Sequence, residues 1–404
     1  MTLSTSSAPN STGDVTPITS AIAWSDPARA AAFAKWLATT SANCQLDPLT
    51  LRLASADASF RRYFRIDQGA GSCIIMDAPP AQEDCAPFVK VAGLMAQAEL
   101  NAPRVLAWDQ AQGFMLLSDL GSQTMMDVIK QQGSLDIVPQ NGQLIHQLYM
   151  DAVDALIQWQ LSSRPDVLPA YDDALLSREL ALFPDWYITQ HRGIAVDIAL
   201  QEKLAGFFAQ IKDSNLNSLG GARVFVHRDF MPRNLMAPTL VASRTTLPPG
   251  GADFARGGPS LQSMAPTLPA QALGVLDFQD AVYGPITYDI ASLMRDAFLS
   301  WDEEFVIDIT IRYWQKARKA GLPVGDDFGE FYRAVEWMGL QRHLKILGIF
   351  ARLTLRDGKP QYLADTPRFI KYARSTASRY RQLGPLMVLL DEIEGNETRI
   401  GYTF

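Results

Sequence analysis

Apolar and polar positions follow two rhythms along this chain, and the change between them divides it. Residues 27–39 place apolar side chains at helical spacing, with Phe33 and Trp36 on one side, and predict a first helix. Between residues 51 and 76 the period shortens to two. Arg61-Arg62-Tyr63-Phe64-Arg65-Ile66 alternates, residues 68–72 supply a Gly-rich turn, and Cys73-Ile74-Ile75-Met76 is a short apolar run, which together predict a β-hairpin. Residues 84–100 return to helical spacing through Val89, Leu94 and Met95, with Asp84 as N-cap. Residues 105–108 and 114–117 predict two further strands.

Past Gly121 the pattern turns helical. Leu148, Val153, Leu156, Ile157 and Trp159 recur at helical spacing within residues 144–161, and residues 179–191 and 197–211 predict two more helices. Two short apolar strands, residues 223–226 and 273–276, each run into a charged loop, and from Tyr288 the chain is mainly helical. The expected fold class is α+β, with a small β-rich N-terminal lobe (residues 21–120) and a larger, mainly helical C-terminal lobe (121–390). The Ser/Thr-rich residues 1–20 are expected to be a disordered leader and residues 391–404 a tail. Residues 237–272, dense in Pro, Gly, Ser and Thr, predict a mobile insertion, with an active-site lid as the alternative.

Composition narrows the class. With 404 residues, 48% of them hydrophobic, the chain can bury the cores of two lobes. A net charge of −7 argues against a non-specific nucleic-acid binder, which carries a basic stripe. No stretch approaches the roughly 20 apolar residues of a membrane helix. The N-terminus also lacks the basic start and apolar run of a signal peptide. Cys44, Cys73 and Cys85 show no metal-ligand spacing, and their odd number fits a reducing, cytoplasmic compartment.

The candidate chemistry lies at the two strand ends. Residues 223–226 lead into His227-Arg228-Asp229, with Asn234 five residues after Asp229. Phosphoryl transfer needs a carboxylate to orient the attacking hydroxyl and take its proton, and hard oxygens to hold Mg²⁺. Asp229 suits the first role and the Asn234 carbonyl the second. The second apolar strand ends in Asp277-Phe278, where Asp277 is the expected principal Mg²⁺ ligand, with Asp280 close by. His227 is expected to be a packed, hydrogen-bonded residue rather than a base.

These residues, with Gly284-Pro285-x-x-Tyr288-Asp289-Ile290-Ala291, resemble the aminoglycoside phosphotransferase family, relatives of choline, homoserine and protein kinases. The resemblance covers about residues 54–381. It implies a two-lobed protein-kinase-like fold, ATP and Mg²⁺ as cofactors, and a structural role for Asp289 in bracing the catalytic loop. On the nucleotide side, Ala54-Ser55-Ala56-Asp57-Ala58-Ser59-Phe60 stands where kinases carry a Gly-rich loop, and is either a phosphate-binding loop or an ordinary hairpin turn. The third strand has no lysine for the phosphates, so Arg62 or Arg65 would replace it, with Glu83 or Glu99 as the cation's partner or as solvated side chains. Leu116-Leu117-Ser118-Asp119-Leu120-Gly121 matches the family's hinge, where backbone groups near Ser118 and Leu120 would meet adenine and Asp119 would cap the turn or touch ribose.

Two features bear on the acceptor. Residues 332–381 hold eleven Lys/Arg and three Asp/Glu. Within them Arg342, Lys345, Arg352 and Arg356 share one helix face, read either as solvated or as facing the acceptor. A basic face disfavours a polycationic aminoglycoside. Residues 57–65, Met76-Asp77-Ala78-Pro79-Pro80 and residues 341–353 also resemble the cell-wall-recycling anomeric kinases, which phosphorylate N-acetylmuramate and N-acetylglucosamine on the C1 hydroxyl. That resemblance implies a small sugar acceptor held at Asp229, with Arg233 or Arg342 available to its carboxylate; Trp186, Trp301 and Trp337 are read either as stacking on its ring or, more often for such residues, as core. Competing readings are an aminoglycoside or choline-like acceptor, a Ser/Thr protein kinase and a non-catalytic nucleotide-binding regulator.

Overall fold

The computed structural model describes residues 22–56, 60–132, 142–238 and 272–395. Ser59 and most of the 237–272 stretch lie outside the described residues, as do the leader at residues 1–20 and the last residues of the expected tail. Contacts divide the chain into two units, with the divisions at Val89/Lys90, Ala102/Pro103 and Asp119/Leu120.

In the first unit, α1 (Pro27–Cys44) opens on Pro27, with the Asp26 carboxylate accepting the Ala28 N–H, and ends where Gln45 turns left-handed at φ 55°. It precedes an antiparallel sheet of β1 (Leu46–Ala56), β2 (Arg62–Gln68), β3 (Gly71–Asp77), β4 (Val105–Asp109) and β5 (Phe114–Ser118), in the order β1-β2-β3-β5-β4. The predicted alternation explains the packing: Phe64, Ile66, Cys73, Ile75, Phe114 and Leu116 bury one sheet face, covered by Phe33 and Leu37 of α1. Each fully buried Phe or Leu contributes roughly 1.5–3 kcal/mol. Arg62 shares that face. Its guanidinium lies 3.9 Å from the Trp24 ring centre and donates to the buried Asp77 at 2.5 and 3.0 Å. Arg29 of α1 donates to the other carboxylate oxygen, so two arginines on one carboxylate staple helix to sheet.

Between β3 and β4 in sequence runs α2 (Ala86–Gln97), where Asp84 accepts the Ala86 N–H. The second unit then contains α3 (Met125–Gln131), α4 (Gly142–Leu161), α5 (Asp173–Leu182), α6 (Ile198–Asn217), β6 (Arg223–Val226), β7 (Leu235–Met236), β8 (Gly274–Val275) and β9 (Val282–Pro285). It closes with α7 (Thr287–Met294), α8 (Glu303–Lys319), α9 (Phe328–Leu355), α10 (Thr366–Arg379) and α11 (Gly384–Glu394). The expected α+β, two-part organisation is the one observed.

The helix expected over residues 179–191 differs in both directions. It begins earlier, because Asp172 caps the Leu175 N–H and starts α5 at Asp173. It then widens into a π-helical segment, Phe183–His191, at Pro184, which has no N–H to continue the α ladder. The strand β9 was not foreseen, and α11 takes up residues 391–394 of the stretch read as a tail. Nearly all of α9 between Ala334 and Ala351 is buried. Its Gly348 permits this approach, since a Cβ there would lie 2.2 Å from the Leu182 carbonyl oxygen. Among the described residues no helix is long and apolar enough to cross a membrane.

Candidate active site

Two short antiparallel ladders frame the chemistry in the second unit. β6 pairs with β9, from Arg223↔Pro285 to Val226↔Val282, and β7 pairs with β8, Leu235↔Val275 and Met236↔Gly274. The loop from β6 to β7 carries residues 227–234, and the loop from β8 to β9 carries residues 276–281. Each ladder is pinned at one end of both loops, so the loops run side by side. The Leu276 N–H donates to the Asn234 carbonyl at 2.9 Å, and His227 Nε2 meets the Leu276 carbonyl at 2.9 Å. Close approach is needed behind β9, where a Cβ on Gly284 would lie 2.6 Å from Tyr171 Cβ.

The backbone of the first loop is held by side chains. Buried Asp289, in the first turn of α7, accepts the His227 N–H at 2.7 Å on Oδ2 and the Arg228 N–H at 3.0 Å on Oδ1. Burial pushes its carboxyl up to about 6, against the pull of His227 and the two N–H groups. His227 is fully buried, and burial lowers its imidazole below its ordinary range. Its Nδ1 accepts the Asp229 N–H at 3.2 Å, which leaves the hydrogen on Nε2, donated to Leu276. The imidazole is therefore a neutral spacer between the two loops.

Asn234 joins the acidic residues. Its Nδ2 donates to the Asp229 carbonyl at 2.9 Å and lies 3.2 Å from Asp277 Oδ2. Asp277 adopts φ 62°, a left-handed turn at the end of β8, and its Oδ1 accepts from Gln279 at 2.8 Å. Because Nδ2 is engaged with both partners, any metal ligation by Asn234 falls to its amide oxygen. One carboxylate and one amide oxygen fit a Mg²⁺ that completes its octahedron with waters and phosphate oxygens. Among the described residues no group of three or more His, Cys, Asp or Glu gathers for a metal.

Behind this loop lies a network that the sequence analysis missed. Glu179 of α5 is buried and receives Tyr171 Oη (2.7 Å), Arg228 Nη2 (2.6 Å), Gln341 Nε2 (2.9 Å) and Lys345 Nζ (2.7 Å). Burial alone would raise its carboxyl, but the Lys345 ammonium and Arg228 guanidinium more than offset this and hold it at about 2. Arg342, one of the two arginines expected against the acceptor, is buried: it donates to the Arg228 carbonyl at 2.9 Å and lies 4.9 Å from the Tyr288 ring centre. The basic face of α9 is thus not uniformly solvated. Arg342 is buried against the 227–234 loop and Lys345 is half-buried on Glu179 and Tyr288, whereas Arg356 is exposed and paired with Asp357. The one available signal was the arginine between His227 and Asp229, a cation that burial would oblige to find a carboxylate.

Other expected residues are scattered in role. Arg233 is exposed, its guanidinium 4.8 Å from the Phe298 ring centre. Trp186 is half-buried in the π-helical segment. Trp337 is buried and Trp301 donates to Tyr149 Oη at 2.6 Å, so both serve packing. In the first unit Phe60 is exposed, and Arg65 forms a two-pronged pair with Asp119 at 2.5 and 3.0 Å. Asp119, expected as a turn cap, also receives the Ser72 hydroxyl at 2.7 Å. Glu83 finds an arginine, but it is Arg61, at 3.0 Å. The Ser118 N–H donates to the Arg104 carbonyl, and its hydroxyl accepts the Arg104 N–H. Leu120 is buried, and a Cβ on Gly274 would lie 3.0 Å from its Cδ1.

The profile of the phosphotransferase enzyme family matches residues 50–239 and 269–326. An N-acetylmuramate/N-acetylglucosamine kinase of Pseudomonas aeruginosa is 47% identical over 347 residues, covering 86% of this chain and 89% of that protein. One of the same name from Neisseria meningitidis serogroup B is 42% identical, covering 91% and 97%. Among solved structures, a Plasmodium vivax ethanolamine kinase aligns with a TM-score of 0.54 at 10% identity, covering 87% of this chain and 91% of that one. A putative aminoglycoside phosphotransferase from Ralstonia eutropha aligns with a TM-score of 0.54 at 11% identity, covering 90% and 99%. These two share the fold. With more than half its length matched, and with such relatives, the chain belongs to the phosphotransferase enzyme family.

Proposed function

We propose that this chain is an ATP- and Mg²⁺-dependent sugar kinase of peptidoglycan recycling. It phosphorylates the anomeric C1 hydroxyl of N-acetylmuramate and N-acetylglucosamine. The observation that carries this reading is the 47% identity to a kinase of that name over 86% of the chain. The juxtaposition of Asp229, Asn234 and Asp277 supports it chemically.

Asp229 orients the C1 hydroxyl and takes its proton as the oxygen attacks the γ-phosphorus in line. The O–P bond to the acceptor forms, the bond to the β-phosphate oxygen breaks, and ADP leaves with the electron pair. Asn234 and Asp277 are the residues that would hold Mg²⁺, which when bound neutralises charge on the phosphates. Asp289 and His227 fix the backbone from which Asp229 projects. Exposed Arg233 is assigned to the lactyl carboxylate of N-acetylmuramate and half-buried Trp186 to a sugar face. In the first unit, Arg65 rather than Arg62 is assigned to the nucleotide phosphates, because β2 turns Arg65 to the face away from α1. All three cysteines are free, which supports a reducing compartment and so the cytoplasm.

The test is Mg²⁺-dependent ATP consumption with N-acetylmuramate, N-acetylglucosamine, glucose, choline, kanamycin and a generic protein, with Asp229→Asn as control. Turnover on the two N-acetylated sugars, lost in the variant, is the expected result. Turnover on kanamycin, choline or protein alone would overturn the acceptor while leaving a kinase.

A further inference from the structure

Residue 228 is the conformational oddity of the catalytic loop. Its φ of 77° lies in the left-handed region that glycine enters freely and that a side chain enters at a cost. Yet the residue is an arginine, and three helices converge on it. Asp289 of α7 takes its N–H at 3.0 Å, Arg342 of α9 donates to its carbonyl at 2.9 Å, and Glu179 of α5 takes its guanidinium at 2.6 Å. Glu179 is itself immobilised by Lys345, Gln341 and Tyr171. The next residue in the chain is Asp229, whose own N–H is fixed on His227.

We propose that the Arg228–Glu179 pair is a positioning device for Asp229: anchoring the side chain of residue 228 locks its backbone left-handed and so aims the carboxylate that follows. The inference rests on the assignment of Asp229 above. A side-chain-bearing residue at φ 77° relaxes toward right-handed or extended backbone unless held. Relaxation at residue 228 would swing Asp229, while the Asp289 and Arg342 clamps alone grip only the main chain. Arg228 therefore acts through the backbone and is a positioning residue, not a catalytic one. Glycine is the replacement that supplies the backbone shape without the anchor. Removing Arg228 still leaves Glu179 its Lys345 partner, so the buried carboxylate keeps a counter-charge.

The experiment compares Arg228→Ala, Arg228→Gly and the parent enzyme in kcat, in KM for ATP and sugar, and in thermal melting, with Asp229→Asn alongside. Arg228→Ala is expected to lower kcat about tenfold or more, with each KM within about threefold of the parent. Arg228→Gly is expected to restore kcat to within about threefold of the parent. A glycine variant as slow as the alanine variant overturns the proposal, as does a raised KM in both, which would mean direct substrate contact. Unchanged kcat in both with lowered melting also overturns it, leaving a purely structural pair. If the alanine variant does not fold, the glycine variant decides alone: folded and near parental supports the device, folded and below about a tenth of parental kcat overturns it. An active Asp229→Asn would instead overturn the site assignment, whatever the Arg228 series shows.

Discussion

In the first unit, Asp77 lies buried between Arg29 and Arg62; in the second, Glu179 lies buried among Arg228, Lys345, Gln341 and Tyr171. Both solve the same problem, a carboxylate removed from water that must be neutralised and hydrogen-bonded. They differ in what the cations are attached to. Arg29 and Arg62 sit on regular elements, α1 and β2, and their convergence on Asp77 ties a helix to a sheet. Arg228 sits on a loop with no regular hydrogen bonding, so its convergence on Glu179 shapes backbone beside Asp229. The same ion-pair chemistry thus serves packing where it joins elements and function where it joins an element to a loop.

The difference should show first in stability. Glu179→Ala orphans two buried cations at once and is expected to cost about 3–5 kcal/mol. Arg29→Ala leaves Asp77 with Arg62; it loses hydrogen bonds to that carboxylate and to the Gln112 carbonyl and the contact on the Phe114 ring, about 1.5–3 kcal/mol. Urea denaturation of both variants measures the gap, and equal losses would erase the distinction between the two carboxylates.

A smaller effect, read by pH, separates Glu179 from Asp289, the buried carboxylate on the other side of Arg228. The Glu179 carboxyl is held at about 2 in the fold against an ordinary 4.5. A depressed acid stabilises the fold above its unfolded value and loses that contribution as pH falls toward the folded one. The loss amounts to about 3 kcal/mol between pH 4.5 and 2. Asp289, raised to about 6 from 3.8, has the opposite sign: across pH 6 to 4 the folded state binds the proton first and gains stability. Denaturation midpoints measured from pH 6 to pH 3 should therefore fall steeply only below about 4.5. The fall should be shallower in Glu179→Gln.

Smaller still is the expected cost of Asp277→Asn, about a hundredfold in kcat/KM with a raised Mg²⁺ requirement and an unchanged melting temperature. Titrating activity against Mg²⁺ in parent and variant checks it. An unchanged requirement would remove Asp277 from the metal set and leave it as the partner of Gln279 and Asn234.

Much of this was legible where periodicity is local. The alternation of Phe64 and Ile66, and of Cys73 and Ile75, marks strands with one covered face, and such faces were observed. The two apolar runs that end in His227-x-Asp229 and Asp277-Phe278 do pair into adjacent ladders. β9 escaped because Val282-Tyr283-Gly284-Pro285 carries two residues that weaken a strand reading, Gly284 being required by the nearby Tyr171. Glu179 escaped for a different reason. It lies on a helix 49 residues before Arg228 in sequence, and no local period distinguishes a glutamate facing a buried arginine from one facing water. The basic face of α9 shows the same limit, since a helical wheel gives direction but not what occupies it.

The finest test of the comparison lies in the first unit, between two arginines three residues apart on one strand. Arg62 faces α1, stacked on Trp24 and bound to Asp77; Arg65 faces the other way, bound to Asp119. If packing and function divide by face, Arg62→Ala should lower the melting temperature and leave KM for ATP within about twofold of the parent. Arg65→Ala should raise KM for ATP about tenfold, equivalent to about 1.4 kcal/mol of lost phosphate binding, with a smaller change in melting. Asp119→Asn sharpens the result. Asp119 competes with phosphate for the same guanidinium, so removing its charge should leave KM for ATP unchanged or lowered if Arg65 meets the nucleotide. A KM that rises in Asp119→Asn and in Arg65→Ala alike would mean that the pair acts only as a unit of the sheet, and both arginines of β2 would then belong to packing.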